Sequence, residues 1–539
     1  MEYRKNGSRL NSHNPSLDKW VRFLMIVILV LGIFFRFANL EKKVYWIDES
    51  YTSLRISGYT ESEFIQEFGD GQIKEIKSIQ KYQRINAEKS VFDTVKGLAL
   101  EESQLTPLYF VAARFWVQLF GDSIAVTRSL SAVFSVLALP CMYWLCLELF
   151  ESSVTAWLAV AIIAVSPFQV VYAQEARPYS LFVMLILLSS AVLLRGMRLK
   201  TNRSWAIYAV TLVVGFYTHL LFGIVAIGHG IYVLIIEKFR FNKNVIGYLL
   251  ASIAGLIALS PWIIAMIKNS GNASDKTSWL SLIRPVSELI KNWVLNISNQ
   301  FFDVGFYWNL PRPYLISTLP VILMILIMVG YSFYLLVSKT EIRVWLFVVT
   351  LTFVIVGIFL PADLIRGGIR SINTRYMIPC YLGIQISLAY LFTQVQVTIQ
   401  LQKLWRVALV VLLSMEIASS CLYVSADNWW NKDRSYINIR IARTVNSASK
   451  PLIITEFPEY NVDTIGNLLG MSHQIDPKAK LLLMSPKNNV EIPQNFNEIF
   501  LYSITPQLKT KIANKSNQYK IQTIYGKNDA MILGKIVNK

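Results

Sequence analysis

From residue 20 to residue 424 the chain alternates long apolar runs with short polar breaks. The runs cover 20–39, 124–147, 153–172, 179–196, 205–219, 220–236, 246–267, 314–337, 343–361, 376–397 and 404–424. Runs of this length suit helices crossing a hydrocarbon core of about 30 Å. The pattern predicts a mainly α protein, a polytopic transmembrane bundle of about eleven spans. A twelfth apolar stretch, Pro107–Phe120, is short and contains Arg114. Such a segment is more often interfacial or re-entrant than spanning. It is placed on the outer surface, in a long first loop at 41–123. Two amphipathic stretches of that loop, Thr60–Phe68 and Val91–Leu100, suit helices lying on a membrane surface. The run from Trp20 to Phe35 is followed by Arg36, Glu41 and Lys42 without a small-residue cleavage site, so it reads as a retained span.

Basic residues in short loops set the orientation. Arg4, Lys5, Arg9, Lys19 and Arg22 put the start of the chain inside. With alternating spans, the inside loops then hold Arg195, Arg198, Lys200 and Arg203; Lys238, Arg240 and Lys243; Lys339 and Arg343; and Lys403 and Arg406. Counting Pro107–Phe120 as a span would move all of these outside.

After residue 424 the pattern changes. The segment 425–539 is polar and rich in Asn and Lys, with short apolar strands at Leu452–Thr455, Lys480–Leu483 and Ile499–Tyr502. Helical patterns lie at Val462–Met471 and Pro506–Asn517. This reads as a small extracytoplasmic α/β domain following a transmembrane domain at 1–424. Trp429-Trp430, just past the last span, reads as part of an interfacial aromatic belt.

Composition agrees: 54% of residues are hydrophobic and 16% charged, against about 25% charged in soluble domains. The net charge of +18 is spread over the loops that set topology, which argues against a nucleic-acid partner. Cys141, Cys146, Cys380 and Cys421 lie in or at the ends of spans, without metal-ligand spacing, and read as packing residues.

With this topology one membrane face collects the polar chemistry. Tyr45-Trp46-Ile47-Asp48-Glu49 follows the first span, with Arg55 nearby. Tyr172-Ala173-Gln174-Glu175-Ala176-Arg177-Pro178-Tyr179-Ser180 follows the third, Tyr217-Thr218-His219 lies between the fifth and sixth, and Asn373-Thr374-Arg375-Tyr376 opens the tenth. Singly, each has a structural reading: solvated loop carboxylates, snorkelling arginines, an interhelical histidine. Their co-location at membrane depth marks a site. The set suits transfer of a sugar from a lipid phosphate: a carboxylate takes the acceptor hydroxyl's proton, and arginines hold the leaving phosphate, where negative charge grows.

Trp46-Ile47-Asp48-Glu49, Thr106-Pro107-Leu108-Tyr109-Phe110, the Tyr172–Ser180 string, Tyr217-Thr218-His219 and Arg375-Tyr376 resemble, in order, the GT-C glycosyltransferases, in particular bacterial family 39-type proteins similar to protein O-mannosyltransferases and the lipid A aminoarabinose transferase. The resemblance implies a polyprenyl-phosphate sugar donor and a catalytic Asp in the first outer loop, matching Asp48 with Glu49 in support. It implies phosphate-facing Arg177 and Arg375, with Tyr172, Gln174, Glu175, Tyr179, His219 and Tyr376 lining the pocket. It further implies a bacterial inner membrane, a periplasmic active site, and a glycan, lipid or protein acceptor receiving a hexosyl or pentosyl group. Many members read His-Pro-Pro-Leu-Tyr where this chain has Leu105-Thr106-Pro107-Leu108-Tyr109; Glu101 or Glu102 stands near the position of a second acidic residue found in some. No cofactor is specified by these motifs, and a divalent metal stays open because paired carboxylates can bind one. Two other classes compete: a transporter or flippase of lipid-linked sugars, which would tolerate loss of Asp48, and an envelope scaffold working through 425–539.

Overall fold

The structure, a computed structural model, describes residues 19–305, 312–394, 399–456, 462–484, 492–493, 495–514, 519–527 and 530–538. Arg4, Lys5 and Arg9, the end of the tenth run at 395–397, and the end of the last helical pattern at 515–517 lie outside the described residues.

All eleven apolar runs fold into helices. By length and composition six are able to cross a membrane: Ile124–Phe150, Tyr179–Leu199, Lys243–Lys268, Ile316–Lys339, Ile342–Arg366, and the helix from Gln402 onward. The pair Ser153–Val165 and Pro167–Ala173, bent by 59°, makes a seventh if it is counted as one span. The remaining runs form Lys19–Phe37, Asn202–Thr218, Phe222–Ile236 and Ile378–Gln394. The last three have 15 to 17 residues and reach only about 22–26 Å at 1.5 Å per residue, short of a hydrocarbon core of about 30 Å. Apolar side chains such as Leu250, Ile327, Ile365 and Val410 point outward, as expected of a bundle solvated by lipid tails. Pro107–Phe120 becomes a helix at Leu108–Phe120, with Arg114 buried and Phe115, Leu119 and Phe120 exposed.

The bent pair has a specific cause. Pro167 has no N–H, so the carbonyl of Ile163 loses its helical partner. Arg36, at the end of the first helix, replaces it: Nη2 donates to Ile163 O at 3.0 Å, Nη1 to Ala164 O, and Nε to Ser135 Oγ at 2.8 Å. Gly32 permits this approach, because a Cβ there would lie 2.4 Å from Ala164 O. Backbone groups freed at membrane depth are thus satisfied by a buried guanidinium. The break aims Pro167–Ala173, and the turn after it, at the end of the bundle where the first loop begins.

The C-terminal region folds around one six-stranded sheet of order β1-β3-β2-β4-β6-β5. Its strands are β1 (Ile73–Glu75), β2 (Pro451–Glu456), β3 (Lys480–Met484), β4 (Glu498–Tyr502), β5 (Tyr519–Lys527) and β6 (Ala530–Asn538). The parallel centre β3-β2-β4 corresponds to the three apolar strands read from the sequence. The antiparallel hairpin β5–β6 was not among them. Nor was β1, which comes from the first loop and pairs antiparallel with β3 at Ile73↔Leu482. One core cluster joins Val44, Trp46, Ile47, Tyr51 and Leu54 of that loop to Ile453, Ile465, Leu468 and Leu469. The belt reading of Trp429-Trp430 is corrected: both indole N–H groups donate to Asp303 Oδ2, at 2.8 and 2.7 Å, and Trp429 is buried.

Candidate active site

Helix Ile47–Ile56 carries the acidic pair in its first turn, where unpaired N–H groups and the helix dipole favour negative charge. Of its ten residues only Asp48 is not buried. Successive helical residues point about 100° apart, so Asp48 and Glu49 diverge. Asp48 opens to the site with a quarter of its side chain exposed. Glu49 turns into the core and is fully buried.

Two arginines meet Asp48. Arg375 Nη1 donates to Asp48 Oδ2 at 2.6 Å, and Arg177 Nε lies 4.0 Å from the same oxygen. Arg177 Nη1 also donates to Asp48 O at 3.4 Å and to Thr52 Oγ1 at 3.2 Å, which ties it to the helix. Its Nε is buried and has no hydrogen-bond partner among the described residues. Burial opposes charge on Asp48, but Arg375 and Arg177 outweigh it and hold the carboxyl below its ordinary range. Arg375 sits among four rings, those of Trp46, Tyr179, Trp279 and Tyr376, at 5.6 to 6.0 Å. These rings surround the guanidinium while its Nη1 donates to Asp48.

Glu49 has a different set. Arg128 grips it bidentately, with Nε to Oε1 and Nη2 to Oε2 both at 2.7 Å, and Lys432 Nζ is 2.7 Å from Oε2. The backbone N–H of Ala176 completes Oε1 at 3.0 Å. Burial alone would raise this carboxyl, yet Arg128 and Lys432 bring it down to about 2. Arg128 also donates to the carbonyls of Leu40, Lys43 and Val44, at 2.5, 3.1 and 2.9 Å. Glu49 therefore anchors the helix to the bundle.

The other predicted residues divide. Tyr179 and Tyr376 stand beside Arg375. Tyr172 bonds Thr374 Oγ1 through its hydroxyl at 2.8 Å and packs on Tyr179. His219 stacks on Phe182 and touches Tyr179, and its Nδ1 accepts from the N–H of Leu221. Gln174 faces the first helix instead, donating to Phe35 O at 2.6 Å and Ala38 O at 2.8 Å and accepting from Lys43. Glu175 is buried and takes Asn431 Nδ2 at 2.9 Å, while its Oε1 has no partner among the described residues. Burial pushes it up to about 7, with Lys432 opposing and Glu49 and Asp48 adding. Arg55 lies apart, paired with Glu102 at 2.6 Å and Glu101 at 2.8 Å.

The sequence reading missed Arg128, Lys432 and Trp279. Arg128 offered a signal, being an arginine just inside an apolar run. Lys432 and Trp279 offered none. Among the described residues no group of three or more His, Cys, Asp or Glu side chains is placed to hold a metal ion.

Residues 104–264 match the family described as dolichyl-phosphate-mannose-protein mannosyltransferase. No curated protein matches the chain by sequence. Among solved structures, ArnT from Cupriavidus metallidurans bound to undecaprenyl phosphate aligns over 96% of this chain and 98% of its own, at 11% identity and a TM-score of 0.51. The apo state of the same protein aligns at 12% identity and 0.50, over 96% of this chain and 97% of its own. The oligosaccharyltransferase AglB from Archaeoglobus fulgidus, in complex with an inhibitory peptide and a dolichol-phosphate, gives 0.47 at 10% identity, covering 85% of this chain and 64% of that one.

Proposed function

From the premise that this chain has the multi-pass membrane fold of the GT-C glycosyltransferases, we propose that it transfers a sugar from a polyprenyl-phosphate donor to an acceptor hydroxyl, with Asp48 as general base. The observation that carries this is the ion pair of Asp48 with Arg375, with Arg177 beside it. A lone carboxylate between two arginines, one with an unused buried N–H, is poised to trade partners. An arriving phosphate offers the guanidiniums more negative charge and a better fit to their forked donors. Asp48 is then released from part of its ion pairing and regains basicity. The acceptor oxygen attacks the anomeric carbon as its proton passes to Asp48. The bond to the phosphate oxygen breaks, and Arg177 and Arg375 stabilise the charge that grows there. Tyr172, Tyr179, Tyr376 and His219 shape the space around the sugar. Glu49 is the positioning carboxylate, since its oxygens are already taken.

We place this site on the extracytoplasmic face of a bacterial inner membrane, with the transferred group a hexose or pentose and the acceptor a glycan, lipid or protein. The basic loops and the family resemblance support that reading. The experiment is Asp48→Asn in membrane vesicles supplied with labelled polyprenyl-phosphate sugars. Release of polyprenyl phosphate should fall by about 10²- to 10⁴-fold at unchanged protein level; release at the wild-type rate would falsify the role of Asp48.

A further inference from the structure

Helix Ile47–Ile56 begins without a cap of its own, because Trp46 at its N-cap offers no side-chain hydrogen bond. The missing acceptor comes from the far end of the chain. Ser435 Oγ takes the N–H of Ile47 at 3.1 Å and donates onward to Asn467 Oδ1 at 2.7 Å. Asn438 Nδ2 holds the same Asn467 oxygen at 2.8 Å. Three residues before Ser435, Lys432 is fully buried with its Nζ on Glu49. Asn431 bonds Glu175 in the turn that presents Arg177. Helix Val462–Met471 closes over the same place: a Cβ at Gly466 would lie 2.4 Å from Ile47 Cγ1, and one at Gly470 2.3 Å from Tyr45 O. The two glycines thus let helix Val462–Met471 pack directly against Ile47 and the Tyr45 carbonyl at the start of the Asp48 helix.

We infer that residues 431–438 and helix Val462–Met471 are a working part of the active site, and that Lys432 is the positioning residue through which they set Asp48. Lys432 does not touch Asp48. It acts through Glu49, the next residue on the helix, by supplying the second positive charge that this buried carboxylate requires beside Arg128. With Lys432 and the Ser435 cap in place, the first helical turn is fixed at both its backbone and its charged side chain. Asp48 then keeps one orientation while its arginine partners change. A general base displaced by an ångström loses much of its effect, so the folded C-terminal region becomes a condition for turnover. This rests on the reading of Asp48 as general base, but the placement itself is measurable without turnover.

The test uses the full chain in nanodiscs, comparing wild type, Lys432→Met, Lys432→Arg and Ser435→Ala. Amide hydrogen exchange of residues 47–56 is read with undecaprenyl-phosphate binding and with polyprenyl-phosphate release from labelled donors. Lys432→Met should speed exchange in 47–56 and lower turnover by roughly 10- to 100-fold, with undecaprenyl-phosphate affinity unchanged. Lys432→Arg should restore most of both. Ser435→Ala keeps every charge and the fold, and should speed exchange at the start of the helix alone. Wild-type exchange in both Lys432→Met and Ser435→Ala overturns the inference. Loss of phosphate affinity with unchanged exchange also overturns it, since Lys432 would then be a phosphate ligand. Failure of wild type to bind undecaprenyl phosphate would instead count against the functional reading, leaving the exchange result to decide the positioning role.

Discussion

Arg375 reaches across 327 positions of sequence to place Nη1 2.6 Å from Oδ2 of Asp48. The pair joins the start of the first loop to the entrance of the helix Ile378–Gln394, and it is partly open, with 17% and 25% of the two side chains exposed. An open ion pair can be exchanged for a ligand. A sealed one cannot.

That difference separates Arg375 from Arg128, and Arg177, though buried, has an Nε with no hydrogen-bond partner among the described residues. Arg375→Ala and Arg177→Ala are each expected to weaken undecaprenyl-phosphate binding by about 10-fold or more, the loss of a charge-assisted contact worth about 1.5–3 kcal/mol, with little change in melting temperature. Arg375→Lys should recover only part, because an ammonium lacks the planar fork. Titration of the purified variants with undecaprenyl phosphate checks this, and affinity equal to wild type in both alanine variants would remove phosphate from their role.

Arg128→Met should behave in the opposite way. It leaves Glu49 buried with Lys432 as its one remaining cation and frees the carbonyls of Leu40, Lys43 and Val44. Breaking a buried pair from one side costs about 3–5 kcal/mol. A thermal shift in detergent should show a large drop in melting temperature, with or without added lipid phosphate.

Glu175 gives a pH signature. Its carboxyl is raised from 4.5 to about 7 by burial, against the pull of Lys432 and with the push of Glu49 and Asp48. Between those values the folded state keeps a proton that the unfolded chain has released. Stability therefore falls as pH rises through that window, by on the order of 3 kcal/mol. Glu175→Gln should flatten this part of the melting-temperature profile between pH 4.5 and 7; an unchanged slope would show that another group sets it.

The topology has its own check. A reporter fused after Gly121 is expected on the extracytoplasmic side, because helix Leu108–Phe120 has 13 residues, about 20 Å, and is too short to cross the membrane. A cytoplasmic signal there would invert every later loop.

The bundle was legible in the sequence because lipid solvation imposes a local rule: each crossing satisfies its own backbone hydrogen bonds with about twenty apolar residues, and the basic loops between crossings report orientation. Asp48, Arg177 and Arg375 were legible for a related reason, as charges placed where charge is expensive. The run 153–172 reads as one span, and neither its break at Pro167 nor Arg36, the residue that heals it, could be named until the two helices were seen side by side.

The acidic pair shows where such reading stops. Sequence placed Asp48 and Glu49 side by side at one site, Asp48 as the base and Glu49 in support. Tertiary structure separates them, because helical residues one apart face different directions and only one of those directions is open. Which cations each carboxylate meets depends on contacts over 79, 327 and 383 positions, and no local pattern encodes those. The same holds for the sheet, whose edge strand β1 comes from the first loop, and for Ser435 and Lys432, polar residues in a polar stretch. Periodicity and burial cost act along the chain and can be read there. Partner choice is made by packing, which brings the end of the chain back to the helix that carries Asp48.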